Sequence, residues 1–256
     1  MITLLNGEHW GKEELIAQMY DDEFYYEHLG KHALSSSSLK MILKSPKTYR
    51  NVTKYGDPNS NSPALSAGKL AHWMLLEPHK IDTLHFVDAS TKNTNKYKDT
   101  KEKYGEVFLT SEKKSAERLT DAVLRNEGAL RLLTNSEFEI PEIDMLEGLP
   151  FRGKADIIQG DTIIDYKTTA NELSSFKWSA DKYGYDLQAY MYLRLFNKKK
   201  FTFLVIDKAS TDIGIFEVSD DFIARGEQKF IQAVDNYKYF FQDGNDLDQY
   251  VMRGIL

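Results

Sequence analysis

The sequence contains no cysteine. That excludes disulfides, thiolate zinc sites and iron–sulfur clusters, and it suits a reducing compartment. Also missing is any apolar run near the roughly 20 residues that a membrane span needs, and Met1 to Glu8 do not read as a secretory leader. A soluble, cytoplasmic protein with no membrane partner is expected. Nor is there an excess of positive charge, since the formal net charge is -6 over 256 residues. An acidic balance argues against a uniformly basic surface, but clustering matters more than the sum. Lysines gather at Lys40, Lys44, Lys47 and Lys54 with Arg50, at Lys92, Lys96, Lys98, Lys101 and Lys103, and at Lys198 to Lys200. No solenoid-period repeat is present. The length is enough to bury a core without covalent staples, and one domain over 1–256 is the simplest organisation, helical to about 134 and sheet-based beyond.

The local patterns fill in that outline. Ser37 or Ser38 is placed to cap a helix carrying Leu39, Ile42 and Leu43 until Pro46 interrupts. Residues 55–63 read as a loop, about 65–77 as a second helix stopped by Pro78, 91–105 as a lysine-rich loop, and about 111–133 as one long helix. The period then changes. Residues 136–141, 149–158 and 162–166 predict strands, the last two joined in a hairpin by Gln159, Gly160 and Asp161. A helix over about 181–196, strands over 201–207 and 213–218, and a helix capped by Ser219 complete the order. This is an α/β pattern, a mixed central sheet flanked by helices.

The hairpin carries the chemistry. Asp165 and Lys167 are two residues apart, so strand alternation points them to one face and Tyr166 to the other. If Asp156 pairs across the turn on that face, two carboxylates and an amine converge. Such a count suits Mg²⁺, which takes one or two protein carboxylates and keeps the rest of its shell for water and phosphate. A bound ion polarises a phosphoryl oxygen and eases deprotonation of its water, and Lys167 can orient that water or assist its deprotonation if burial and the cation lower its own pKa. Taken alone, Asp-x-Lys reads as a strand-face ion pair. Its context weighs against that, because Ile163 and Ile164 make the strand apolar enough to be central, where an unpaired carboxylate is costly.

Around the hairpin, Gly68 and His72 lie four apart on the second helix, which runs into Leu75-Leu76-Glu77-Pro78, and Gln188 and Tyr192 share one face of a later helix. With Ser38-Leu39-Lys40 through Pro46, these segments make the sequence resemble the PD-(D/E)xK nucleases, and within them the RecE-type exonuclease VIII group of phages and prophages. The resemblance covers roughly residues 35–195. It implies a restriction-endonuclease-like core and a metal site of His72, Asp156, Asp165 and the backbone carbonyl of Tyr166, with Lys167 catalytic. It also implies Mg²⁺ with Mn²⁺ able to substitute, 5′-to-3′ degradation of linear duplex DNA, a ring-like homo-oligomer, and a single-strand annealing protein as partner. Gln188 and Tyr192 are expected to reach DNA, and Glu137 is a further candidate near the metal. Ala155 stands where the motif has proline, which supplies no ligand. A structure-specific or restriction-like endonuclease, and a DNA-binding protein that has lost the chemistry, are the alternatives.

Overall fold

A computed structural model describes residues 1–58 and 63–252. Five strands form the central sheet: β1 (Glu137–Leu146), β2 (Leu149–Gln159), β3 (Thr162–Thr169), β4 (Lys200–Asp207) and β5 (Ile213–Glu217), neighbours in that order. β3 and β4 run parallel and the other pairs antiparallel, so the sheet is mixed, as expected. β3 is the middle strand, and its isoleucines show why the fold needs two layers of helix. Ile163 and Ile164 are both fully buried but belong to opposite faces.

On the Ile163 face lie α1 (Ser36–Lys44), α4 (Tyr185–Leu195) and α5 (Asp220–Tyr237), contributing Leu39, Ile42, Leu187, Met191, Phe230 and Val234 to one core. On the Ile164 face lie α2 (Pro63–Leu76) and α3 (Thr110–Arg125), contributing Leu70, Leu119 and Val123 to the other. Apolar burial on both faces, worth roughly 25 cal/mol per Å², holds β3 and its neighbour β4 in the middle of the fold. Among the described residues no helix is long and apolar enough to cross a membrane.

The departures from the predicted elements have local causes. The first helix is capped by Ser35, whose Oγ accepts from the Ser38 amide at 3.2 Å, so the helix starts earlier than a Ser37 or Ser38 cap would allow. The lysine-rich segment is a helix over Asn95–Tyr104 rather than a loop, anchored by buried Tyr97, whose hydroxyl donates to the Val107 carbonyl at 2.8 Å. The single helix expected over 111–133 breaks at Asn126, whose side chain accepts from the Ala129 amide and starts a second helix, Glu127–Leu133. The helix expected over 181–196 is likewise two, split at Gly184, which adopts a left-handed φ of 61°. β1 extends five residues further than predicted, to Leu146, because Glu147 and Gly148 form a tight two-residue turn with φ of 50° and 79°. Part of the loop expected over 55–63 lies outside the described residues.

Candidate active site

Ile157 faces Ile164 and Ile158 faces Ile163 across β2 and β3, a register that would next oppose Asp156 to Asp165. The ladder goes no further. Instead the Tyr166 amide donates to Asp156 Oδ2 at 2.9 Å, so this carboxylate stands where a ladder would have placed a carbonyl. The strands part at this point, and the gap is filled by charged side chains.

Two groups of them meet here. In the first, His72 Nε2 of α2 lies 3.3 Å from Asp156 Oδ1 and 3.4 Å from Glu139 Oε1. Ligand atoms of His72, Glu139 and Asp156 all fall within 4.8 Å of one another. In the second, Lys167 Nζ lies 2.5 Å from Asp165 Oδ2, and Gln188 Nε2 donates to Asp165 Oδ1 at 2.7 Å. Lys40 of α1 in turn donates to Gln188 Oε1 at 3.4 Å. As the alternation predicted, Asp165 and Lys167 share a face and Tyr166 points into the opposite core.

The geometry gives Glu139, and not Glu137, the approach to His72. Glu137 is exposed opposite Ile158, whereas Glu139, between the pairs Phe138–Ile157 and Ile140–Ala155, sits level with Asp156. Its backbone takes a left-handed φ of 53°, uncommon for a residue other than glycine and of the strained kind that recurs at functional sites. Gln188 and Tyr192 are both buried, with their polar ends engaged by the protein: Gln188 as above, Tyr192 by donating to the Lys154 carbonyl at 3.2 Å. Gln188 thereby steadies Asp165, and Tyr192 the backbone of β2 two residues before Asp156. Gly68 brings α2 against the end of β3; a Cβ there would meet Thr168 Oγ1 at 3.6 Å, an ordinary contact.

The electrostatics are set by burial and by the crowding of carboxylates around two cationic groups, His72 and Lys167. Burial, together with the Asp156 charge, pushes the Glu139 carboxyl up to about 8, against the pull of His72. Burial alone would lower His72, but Asp156 and Glu139 beside it raise the imidazole to about 9. Burial opposes ionisation of Asp156 too, yet His72, Lys167 and the Tyr166 amide hold its carboxyl below the usual range. Asp165 is pushed upward, by burial first and by Asp156, despite Lys167. Burial pulls the Lys167 ammonium down, but Asp165 and Asp156 more than offset it and leave the group above its ordinary value. The carboxylates beside Lys167 thus favour its charged form.

The donor set fits a divalent cation. One imidazole and two carboxylates converge, Glu139 Oε1 is buried with no hydrogen bond, and like charges are crowded where a cation would relieve them. One consequence is open to test in the metal-free protein. A carboxyl raised from about 4.5 to about 8 keeps its proton in the folded state while the unfolded chain releases it, so stability falls as pH rises through that window. Glu139→Gln is expected to raise the melting temperature in EDTA at pH 9, with the gain shrinking toward pH 5. No gain at pH 9 would mean that Glu139 bears no such cost.

Comparison with known proteins adds to this geometry. A solved structure of a candidate exonuclease from Eubacterium rectale is similar, with a TM-score of 0.66 at 15% identity over 92% of this chain and 95% of that one, a likeness of fold. A phage-related exonuclease from Haemophilus somnus 129PT matches at a TM-score of 0.34 and 14% identity, over 62% of this chain and 92% of that one, too distant to carry an argument. No curated protein matches the sequence. The family model described as a PDDEXK-like domain of unknown function (DUF3799) matches residues 35–246. With a mixed five-stranded sheet between helices and most of its length matched, the chain belongs to this PDDEXK-like family and has the nuclease-type core that its hairpin motif implied.

Proposed function

We propose that the chain is a divalent-metal-dependent deoxyribonuclease, and specifically a 5′-to-3′ exonuclease on linear double-stranded DNA of the RecE type. The observation that carries the reading is the convergence of His72, Glu139 and Asp156 beside the Asp165–Lys167 pair at the parted end of the hairpin. His72, Glu139 and Asp156 would hold the ion, with Asp165 and the Tyr166 carbonyl as further oxygen donors. Bound there, a Mg²⁺ or Mn²⁺ ion supplies Lewis-acid polarisation of a phosphoryl oxygen and a more acidic water. The chain's own residues do the placing. The Tyr166 amide fixes Asp156, Gln188 fixes Asp165, and Asp165 in turn holds the Lys167 ammonium, which would offset negative charge developing on a phosphodiester bound there. The resemblance further supports a ring-like homo-oligomer, a single-strand annealing partner and a cytoplasmic, phage or prophage setting.

Linear duplex DNA labelled separately at its 5′ and 3′ ends, incubated with Mg²⁺ or EDTA, tests the reading. Stepwise release of the 5′ label with the closed circle spared is expected. Cutting of the closed circle would replace the exonuclease with an endonuclease, and no metal-dependent cleavage of either would end the nuclease reading.

The metal assignment has its own pH signature. His72 is protonated in the ion-free site below about 9 and Glu139 below about 8, and both must lose their protons to act as ligands. Manganese affinity should rise with pH across about 6.5 to 9, and binding near pH 7 should release protons. The stability contributed by His72 runs the opposite way. It is complete below about 6.5, where the unfolded imidazole is also charged, and is lost as pH climbs through about 9. Calorimetric titration in buffers of different ionisation enthalpy reads the proton release directly, and a pH-independent affinity would remove both groups from the ligand set.

A further inference from the structure

Beyond the metal and lysine groups, the cleft has an aromatic margin with no role in the chemistry above. Tyr185, at the start of α4, adjoins two amines of the site, with Lys40 Nζ and Lys167 Nζ each 5.2 Å from its ring centre. Its back is fixed by Phe203 and Phe176, at centroid distances of 5.5 and 6.0 Å. Tyr183 continues outward from it, centroids 5.9 Å apart and planes 33° from parallel, and is 51% exposed. Lys182 stands 5.4 Å from the Tyr183 ring centre, and neither Lys182 nor Lys40 forms an ion pair among the described residues. The nearest acid along the chain, Asp181, is engaged by Lys229 at 3.6 Å.

The turn between the two tyrosines is built for this arrangement. Gly184 takes a left-handed φ of 61°, which reverses the chain from the preceding helix into α4, and a Cβ on it would lie 3.6 Å from the methylenes of Lys40. An exposed aromatic ring, then a half-buried one, then the catalytic amine, with a cation beside each step, matches the way single-stranded nucleic acid is held. Bases stack on ring faces while ammonium groups track the phosphates. A paired duplex cannot present its base faces in this way, because they are already stacked on one another.

We infer that Tyr183 and Tyr185, with Lys182 and Lys40, form a stacking platform for an unpaired stretch of DNA strand leading to the Asp165–Lys167 end of the site. The inference rests on the nuclease reading, and it makes the substrate at the site a locally melted strand rather than an intact duplex. Lys40 would meet the phosphate next to the one beside Lys167, and Lys182 one further out.

Binding of a short single-stranded deoxyoligonucleotide carrying 2-aminopurine, in EDTA so that no metal-dependent cleavage intervenes, tests this. Wild-type protein and Tyr183→Phe are expected to quench the probe. Tyr183→Ala should lose the quenching and bind roughly tenfold more weakly, since stacking on one ring is worth about 1–3 kcal/mol and about 1.4 kcal/mol is a factor of ten. Lys182→Gln should flatten the dependence of log affinity on log salt by about 0.7, the value of one phosphate contact on a single strand. Undiminished binding and quenching by Tyr183→Ala, confirmed as folded by its melting curve, would overturn the platform, as would an equal loss on blunt duplex DNA. The two readings fail separately. A wild-type protein that cuts no labelled DNA in Mg²⁺ defeats the nuclease and leaves the stacking result standing, whereas a competent nuclease with an unaltered Tyr183→Ala defeats only the platform.

Discussion

DNA cleavage by the Asp156→Asn protein should fall by roughly a thousandfold or more while its fold survives. Asp156 is shared by every part of the first charged group: it faces His72 at 3.3 Å, lies level with Glu139, and accepts the Tyr166 amide at 2.9 Å. A bound ion's charge stabilisation is worth several kcal/mol, and about 1.4 kcal/mol is a factor of ten in rate. The choice of asparagine matters. Alanine would strand the buried Tyr166 amide without its acceptor, a loss of about 1–3 kcal/mol that would confuse misfolding with missing chemistry. Asparagine keeps an oxygen for the amide and removes the charge. Manganese titration of the folded variant should show much weaker binding, and near-normal turnover with intact manganese affinity would remove Asp156 from the site.

Lys167→Ala should lower cleavage by roughly 10²- to 10⁴-fold while DNA binding weakens only modestly, because the ligands of the ion stay in place. The arginine variant decides what the lysine does. Lys167 Nζ is paired with Asp165 Oδ2 and lies 5.2 Å from the Tyr185 ring centre, and both Asp165 and Asp156 favour its charged form. If it acts by fixed positive charge, Lys167→Arg should restore part of the rate, limited by the fit of a planar guanidinium into a slot shaped for an ammonium. If it must take up a proton, arginine should be no better than alanine. Single-turnover rates for the three proteins, with binding measured alongside in EDTA, separate these outcomes. An alanine variant with wild-type turnover would exclude both.

Much of this site is legible in the sequence because strand periodicity is short-range physics. Alternation alone places Asp165 and Lys167 together and sends Tyr166 into the opposite core. The apolar run around Asp165 identifies β3 as central before any partner strand is known, and it lies in the middle of the sheet. Glu139 was out of reach for a different reason. Its placement depends on the register between β1 and β2, and that register is set by the Glu147–Gly148 turn, which resembles neither of the usual asparagine–glycine or aspartate–glycine signals. With the turn located, the pairs Phe138–Ile157 and Ile140–Ala155 bring residue 139 level with residue 156. The inward turn of Gln188 and Tyr192 was equally hidden, since helical spacing tells that two residues share a face but not what that face meets. The helices that split at Asn126 and Gly184 are a milder case: both residues are ordinary helix interrupters whose effect was overridden by the apolar spacing around them.

The parallel pairing of β3 with β4 bears on when the enzyme comes into being. β1, β2 and β3 are joined by turns of two residues and can assemble as the ribosome releases them, but the strand bearing Asp165 and Lys167 keeps an open edge until Lys200–Asp207 has emerged. The intervening chain includes α4, and with it the Gln188 amide that steadies Asp165. Long-range pairing of this kind is slow to form, because chain closure must precede the contacts that reward it. A nascent chain therefore carries His72, Glu139 and Asp156 well before it can hold Lys167 in place, and the chain has to be synthesised through Asp207 before β3 is paired on both edges. For a nuclease, this order would keep unfinished copies inactive.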